Sequence, residues 1–175
     1  MKRRLTKGTL LAAIALPALS GAAWAGGTDD FGCSNATLRG EYAFGITAYT
    51  PAPAFTGPPT VGAGIKFFDG EGNLTQRDYR GDSLRTTGQT DFAPEGQETG
   101  TYKVNSDCTG SMVINLNVPN TPAPHGVLHI VFVISNGGRH IHEVVSEFIP
   151  PGFTTPQPTQ TSADDWKVAS EQDSQ

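Results

Sequence analysis

The chain has 175 residues with 12 Lys+Arg against 17 Asp+Glu, a formal net charge of −5, and that length suits one domain rather than two. Its 21 Gly and 13 Pro, with few runs of good helix formers, disfavour a helical bundle. The acidic excess repels nucleic acid and anionic lipid, which argues against both as partners.

Residues 1–25 read as a cleavable signal peptide. Lys2, Arg3, Arg4 and Lys7 form a positive leader, Leu10 to Leu19 an apolar stretch broken by Pro17, and Ala23-Trp24-Ala25 a small-residue cleavage site. Cutting after Ala25 removes four basic residues and leaves 8 Lys+Arg against 17 Asp+Glu, a net of −9. The mature protein is then expected to be periplasmic or secreted. Two cysteines remain, Cys33 and Cys108, and an oxidising compartment makes their pairing the default. Such a bridge constrains the unfolded chain by about 4 kcal/mol on the chain-entropy model. The Cys-x-x-Cys spacing of a redox catalyst is absent.

Residues 26–35 form a short polar leader, and a β domain is expected over 36–150. Leu38, Tyr42, Phe44 and Ile46 alternate with Thr37, Arg39, Glu41 and Thr47, the period of a half-buried strand. Pro51 to Pro59 makes a proline-rich loop. A second strand runs over Val61 to Asp69 with Val61, Ala63, Ile65 and Phe67 in register, and Asp69-Gly70-Glu71-Gly72-Asn73 supplies a hairpin turn. Thr101 to Asn105 is a further strand, and Met112, Ile114 and Leu116 alternate after the turn at Ser106 to Gly110. Val127 to Ser135 and His140 to Phe148 flank Asn136-Gly137-Gly138, the strongest hairpin signal in the chain. Residues 151–175 are Pro/Thr/Gln-rich, then acidic, and read as a mostly disordered tail.

A Cys33–Cys108 bridge puts the start of the first strand and the Ser106 to Gly110 turn at one end of the molecule. An up-and-down meander then needs an even number of strands between them. Treating Asn73 to Gly88 as one strand bent at Gly81 gives four, glycine being a common bend point. The count reaches seven strands, with Trp166 to Ala169 as an eighth that would close the sheet. The fold expected is an all-β, antiparallel up-and-down β-barrel of seven or eight strands with one disulfide.

Gly40-x-Tyr42 resembles the Gly-x-Trp/Tyr opening of calycin-type barrels such as lipocalins and avidins. More of the chain resembles a group of small secreted bacterial proteins of unknown function. The shared features are Cys33 before Ala36 to Phe44, the hairpin Phe67 to Thr75 with Phe68 inserted before Asp69, and Gly100 to Gly110. The resemblance implies export and a single-domain barrel of calycin or allene-oxide-cyclase type. It brings no catalytic residues, and the tryptophans of an avidin-like biotin pocket have no counterpart.

One constellation carries metal chemistry. With a two-residue loop at Asn136-Gly137, Val131 opposes His142, Val133 opposes His140, and His129 lies diagonal to His142 on the same face. His140-x-His142 plus a cross-strand His129 is how a sheet would build a three-histidine zinc site completed by water, and zinc is the one cofactor these residues suggest. One more loop residue moves His129 to the other face. The competing view is of half-buried strand histidines interleaved with Val127, Val131 and Val144.

Other motifs lack their structural context. Gly81-Asp82-Ser83-Leu84 spells an esterase string without the α/β fold it needs; Arg80-Gly81-Asp82 is a tripeptide at a bend; His142-Glu143 lacks the second zincin histidine, position 146 being Ser146. Asp69 to Asn73 has Leu74 where a calcium loop needs glycine. Glu41 and Glu143 interrupt apolar strands. Glu143 keeps the register of Ile141 and Val145, and if buried it would want Arg39, Arg77 or Arg85 as partner; otherwise it is a surface carboxylate.

Small eight-stranded barrels are filled by side chains or hold one small ligand. The favoured expectation is non-enzymatic binding of a small hydrophobic ligand by Tyr42, Phe44, Ile65, Phe67 and Met112, without membrane insertion. The alternatives are a barrel enzyme of cyclase or isomerase type, an outer-membrane barrel, and a structural or interaction module. The polar end Asp173-Ser174-Gln175 argues against the outer-membrane case.

Overall fold

A computed structural model describes residues 32–49, 59–81, 92, 98–116 and 125–168. The expected signal peptide, most of the expected proline-rich loop, residues 82–88 of the expected bent strand and the end of the expected tail lie outside the described residues. Eight strands follow in order: β1 (Arg39–Tyr49), β2 (Thr60–Asp69), β3 (Asn73–Gly81), β4 (Glu98–Val104), β5 (Thr109–Leu116), β6 (Gly126–Ser135), β7 (His140–Ile149) and β8 (Gln160–Lys167). Each pairs antiparallel with the next, and β8 returns to β1, so the sheet is a closed up-and-down barrel.

The disulfide joins Cys33 to Cys108 with a Cα–Cα distance of 4.9 Å. Four strands, β1 to β4, separate the two cysteines, as the parity argument requires. This end also holds the β2–β3, β4–β5 and β6–β7 turns, while the β1–β2, β3–β4, β5–β6 and β7–β8 connections leave from the far end. A formed disulfide suggests an oxidising, extracellular environment. Among the described residues no helix is long and apolar enough to cross a membrane.

The half nearer the disulfide is packed solid. Leu38, Tyr42, Phe68, Tyr102, Met112, Ile114, Ile134 and Ile141 belong to one buried cluster. Phe68 meets Tyr42 and Tyr102 edge-on, at centroid distances of 5.3 and 5.0 Å, the arrangement favoured by aromatic quadrupoles. The phenol groups are satisfied too: Tyr42 donates to Gly138 O at 2.5 Å, and Tyr102 contacts Asn35 O and Leu38 O at 3.0 Å.

Three local features differ from expectation. In β2 the apolar stripe Val61, Ala63, Ile65 and Phe67 faces outward, while Gly62, Gly64, Lys66 and Phe68 face in. The interior is crowded there, since a Cβ on Gly64 would lie 2.4 Å from Phe44 Cζ and one on Gly62 2.9 Å from Ile46 Cγ2. Only a stripe with glycines opposite those side chains fits, whatever its hydrophobicity.

The β6–β7 connection has four residues instead of two, because Ser135 pairs with His140 around a single 3-10 turn at Asn136–Gly138. Asn136, Gly137 and Gly138 all take positive φ, and Gly138 lies so close to Thr37 that a Cβ would meet Thr37 O at 2.7 Å.

Finally, β8 begins at Gln160 and not at Trp166, so residues 160–167 of the expected tail form the closing strand. Its inward residues are Thr161, Ala163 and Asp165, which carry no apolar alternation to read. By contrast, the β2–β3 turn is the hairpin expected. The Asp69 Oδ1 atom accepts from the backbone N–H groups of Glu71, Gly72 and Asn73 at 2.7, 2.9 and 3.0 Å. These bonds and the Asn73 side-chain amide hold the Asp69 carboxyl down to about 2.

Candidate functional site

Beyond the packed half, the inward positions turn polar. Lys66 from β2, Gln76 and Asp78 from β3, Glu98 from β4, Glu143 from β7 and Asp165 from β8 are all buried. Lys66 Nζ lies 2.5 Å from Glu143 Oε2, 3.0 Å from Asp165 Oδ2 and 4.5 Å from the centre of the Phe44 ring. Burial alone would lower the Lys66 pKa, but the adjoining carboxyls of Glu143 and Asp165 outweigh it and hold the ammonium above its ordinary value. Glu143 is pushed up to about 8, chiefly by burial, with Lys66 opposing and the Asp165 charge adding to the rise.

Next to this triad, Gln76 Nε2 donates to Glu98 Oε2 at 2.8 Å and Arg80 Nε to Asp78 Oδ2 at 3.0 Å. Burial, followed by the charge of Asp78, raises Glu98 to about 7. Two carboxyl groups that titrate near neutrality can give or take protons at physiological pH. Glu143 Oε1 and Asp165 Oδ1 are buried and meet no nitrogen or hydroxyl donor among the described residues; the proton held by Glu143 is shared with the Asp165 carboxyl, which helps to raise it. Phe44, Lys66, Gln76, Ile130, Glu143 and Thr161 are among the residues lining a cavity of about 20 Å³, room for about one water.

The residues expected to bind ligand separate. Tyr42 and Met112 belong to the packed half and Phe44 lines the cavity. Ile65 and Phe67 stand on the outer wall, 41% and 47% exposed, as the observed β2 register requires. Glu41 is likewise exposed. Glu143 is buried and not a surface carboxylate, and its cation is Lys66 where an arginine was expected. Apolar alternation points the other face of β2 inward and so gives no sign of Lys66. A lysine on the register of Gly62 and Gly64 and two residues before Phe68, matched by a lone Glu in an apolar strand, is the available signal.

No protein family, curated protein or solved structure matches this chain. The roles of its residues therefore rest on geometry.

On the outer wall the histidines also regroup. The lengthened β6–β7 connection adds two residues, so His129, His140 and His142 still share the outward face, but pairing shifts to Val133 opposite His142. A bulge between His129 and Ile130 places His129 opposite Glu147, with Nε2 3.8 Å from its carboxylate. His129 thus stands away from His140 and His142, and the group they join is completed by Asp164 of β8. Asp164 pairs directly with His142 across the β7–β8 ladder.

Proposed function

We propose that this barrel is an exported, non-catalytic binding protein that takes one small amphipathic molecule at its polar half. The ligand's head donates a hydrogen bond to Glu143, and its tail lies on Phe44, Ile46, Leu128 and Ile130 toward the far end. The observation that carries this reading is a cavity lined by both apolar side chains and the buried, charged Lys66 and Glu143. Pockets with a few convergent polar groups on an apolar lining, and with shifted pKa values, are the usual small-molecule sites. The small volume limits the enclosed part to a head group, which narrows the expected hydrophobic ligand to an amphipathic one. Export is supported by the disulfide and by the signal-like start of the chain. Thr75, Arg77, Thr101, Lys103 and Ser111 on the outward positions of β3 to β5 are unsuited to lipid contact.

The test is displacement of a hydrophobic fluorescent dye by medium-chain alkanols and alkylamines, with alkanes of equal length as controls. Saturable displacement by the polar-headed series, weakened in Glu143→Leu, is expected; absence of any saturable site refutes the proposal. A second reading, a barrel isomerase or cyclase, is favoured by the near-neutral titration of Glu98 and Glu143. It requires turnover on some substrate that Glu143→Gln abolishes.

A further inference from the structure

We propose a divalent transition-metal site on the outer wall of the barrel, with His140 Nε2, His142 Nδ1 and Asp164 Oδ1 as protein ligands, a water completing the tetrahedron, and Zn(II) as the ion. It is independent of the interior pocket, so the two proposals stand or fall separately.

The strand geometry builds the site. His140 and His142 sit two apart on β7 and project to the same outward face, while β8 brings Asp164 directly opposite His142. The three ligand atoms lie within 4.8 Å of one another. His140 Nε2 is 3.2 Å from Asp164 Oδ1, and His142 Nδ1 is 2.7 Å from the same oxygen. Ligands about 2.0–2.1 Å from a tetrahedral zinc stand about 3.3 Å apart; of the three edges, His140–Asp164 matches this, His142–Asp164 must open slightly, and His140–His142 lies within 4.8 Å.

A simple His142–Asp164 surface pair accounts for the shorter contact but not for His140. The His140 ring is buried and stacks on Trp166, with centroids 3.7 Å apart and planes 12° apart. Its Nε2 makes no hydrogen bond, although it lies near Asp164. A nitrogen held out of water without a hydrogen bond, 3.2 Å from a carboxylate oxygen, is placed to share a cation with it. Two neutral imidazoles and one carboxylate are borderline donors that suit Zn(II), and also Cu(II), over calcium or magnesium.

The experiment is calorimetric titration of untagged, chelator-stripped protein with Zn(II). One equivalent should bind. His142→Ala and Asp164→Asn should each weaken binding by at least about 100-fold, the upper range for loss of mere supporting groups around a metal. Both side chains are more than half exposed, so the variants should keep the wild-type circular dichroism. His129→Ala should leave the affinity unchanged. As an independent readout, Cu(II) should quench the emission of Trp166, the one tryptophan left after cleavage behind Ala25, and His142→Ala should abolish the quenching. Absence of one-equivalent binding at micromolar zinc, binding untouched by His142→Ala, or binding lost in His129→Ala would each overturn the site.

Discussion

Replacing Lys66 by methionine tests how the polar half of the barrel is held. The side chain is 2% exposed, and its ammonium faces two carboxyl groups that are themselves buried. Methionine keeps most of the volume and removes the charge, so Glu143 and Asp165 lose their cation. Removing one partner of a buried pair typically costs about 3–5 kcal/mol, because the other charge is left uncompensated. The cost should depend on pH. Glu143 already holds its proton up to about 8, so in acid the variant can answer the loss by staying protonated, whereas in base that proton must leave. Urea unfolding of the wild type and Lys66→Met at about pH 5 and about pH 9 measures this. With a slope of about 2 kcal/mol per molar urea, the midpoint should fall by about 2 M in base and by clearly less in acid. Replacing Lys66, Glu143 and Asp165 together by apolar residues should recover much of the loss. A Lys66→Met penalty below about 1 kcal/mol at both pH values would refute the reasoning, as would one that does not grow with pH.

Glu98 gives a second pH signature. Its folded value of about 7 lies above the ordinary 4.5, so the folded state keeps a proton that the unfolded chain releases. That contribution is complete below about pH 4.5 and is lost as pH rises through 7, by at most about 3 kcal/mol; Glu98→Gln should flatten the wild-type stability profile over that window. Gly64→Ala pushes a Cβ against Phe44 and Arg77 O and should lower stability by about 1–3 kcal/mol in thermal unfolding. Replacing Cys33 and Cys108 by serine should remove about 4 kcal/mol in denaturant titrations run without reductant, and an unchanged midpoint would show that the bridge does not constrain the unfolded chain.

Strand periodicity and turn chemistry made most of the barrel legible. The alternation of Leu38, Tyr42, Phe44 and Ile46 placed the right face of β1 inward, and the cysteine parity fixed four strands before Cys108. Hydrophobicity alone points the wrong face of β2 inward, whereas the structure selects the face by space, through Gly62 and Gly64, and by charge, through Lys66. The Glu143 register was readable, but its partner lies on a strand whose orientation was not. For the outer cluster, His140 and His142 were visible as a pair, while Asp164 belongs to a strand without an apolar stripe. Its pairing with β7 is long-range, and local propensity says nothing about such neighbours.

Closure between β1 and β8 has a temporal consequence. Tyr42 pairs with Lys167 and Tyr49 with Gln160, so the first hairpin segment to be synthesised must wait for almost the last before its free edge is matched. Loop-closure entropy makes such distant pairings slow. During that delay β1 and β7 each present an unpaired ladder, and a chain stalled before Gln160 would be a sticky, gaping staircase and not a shortened barrel.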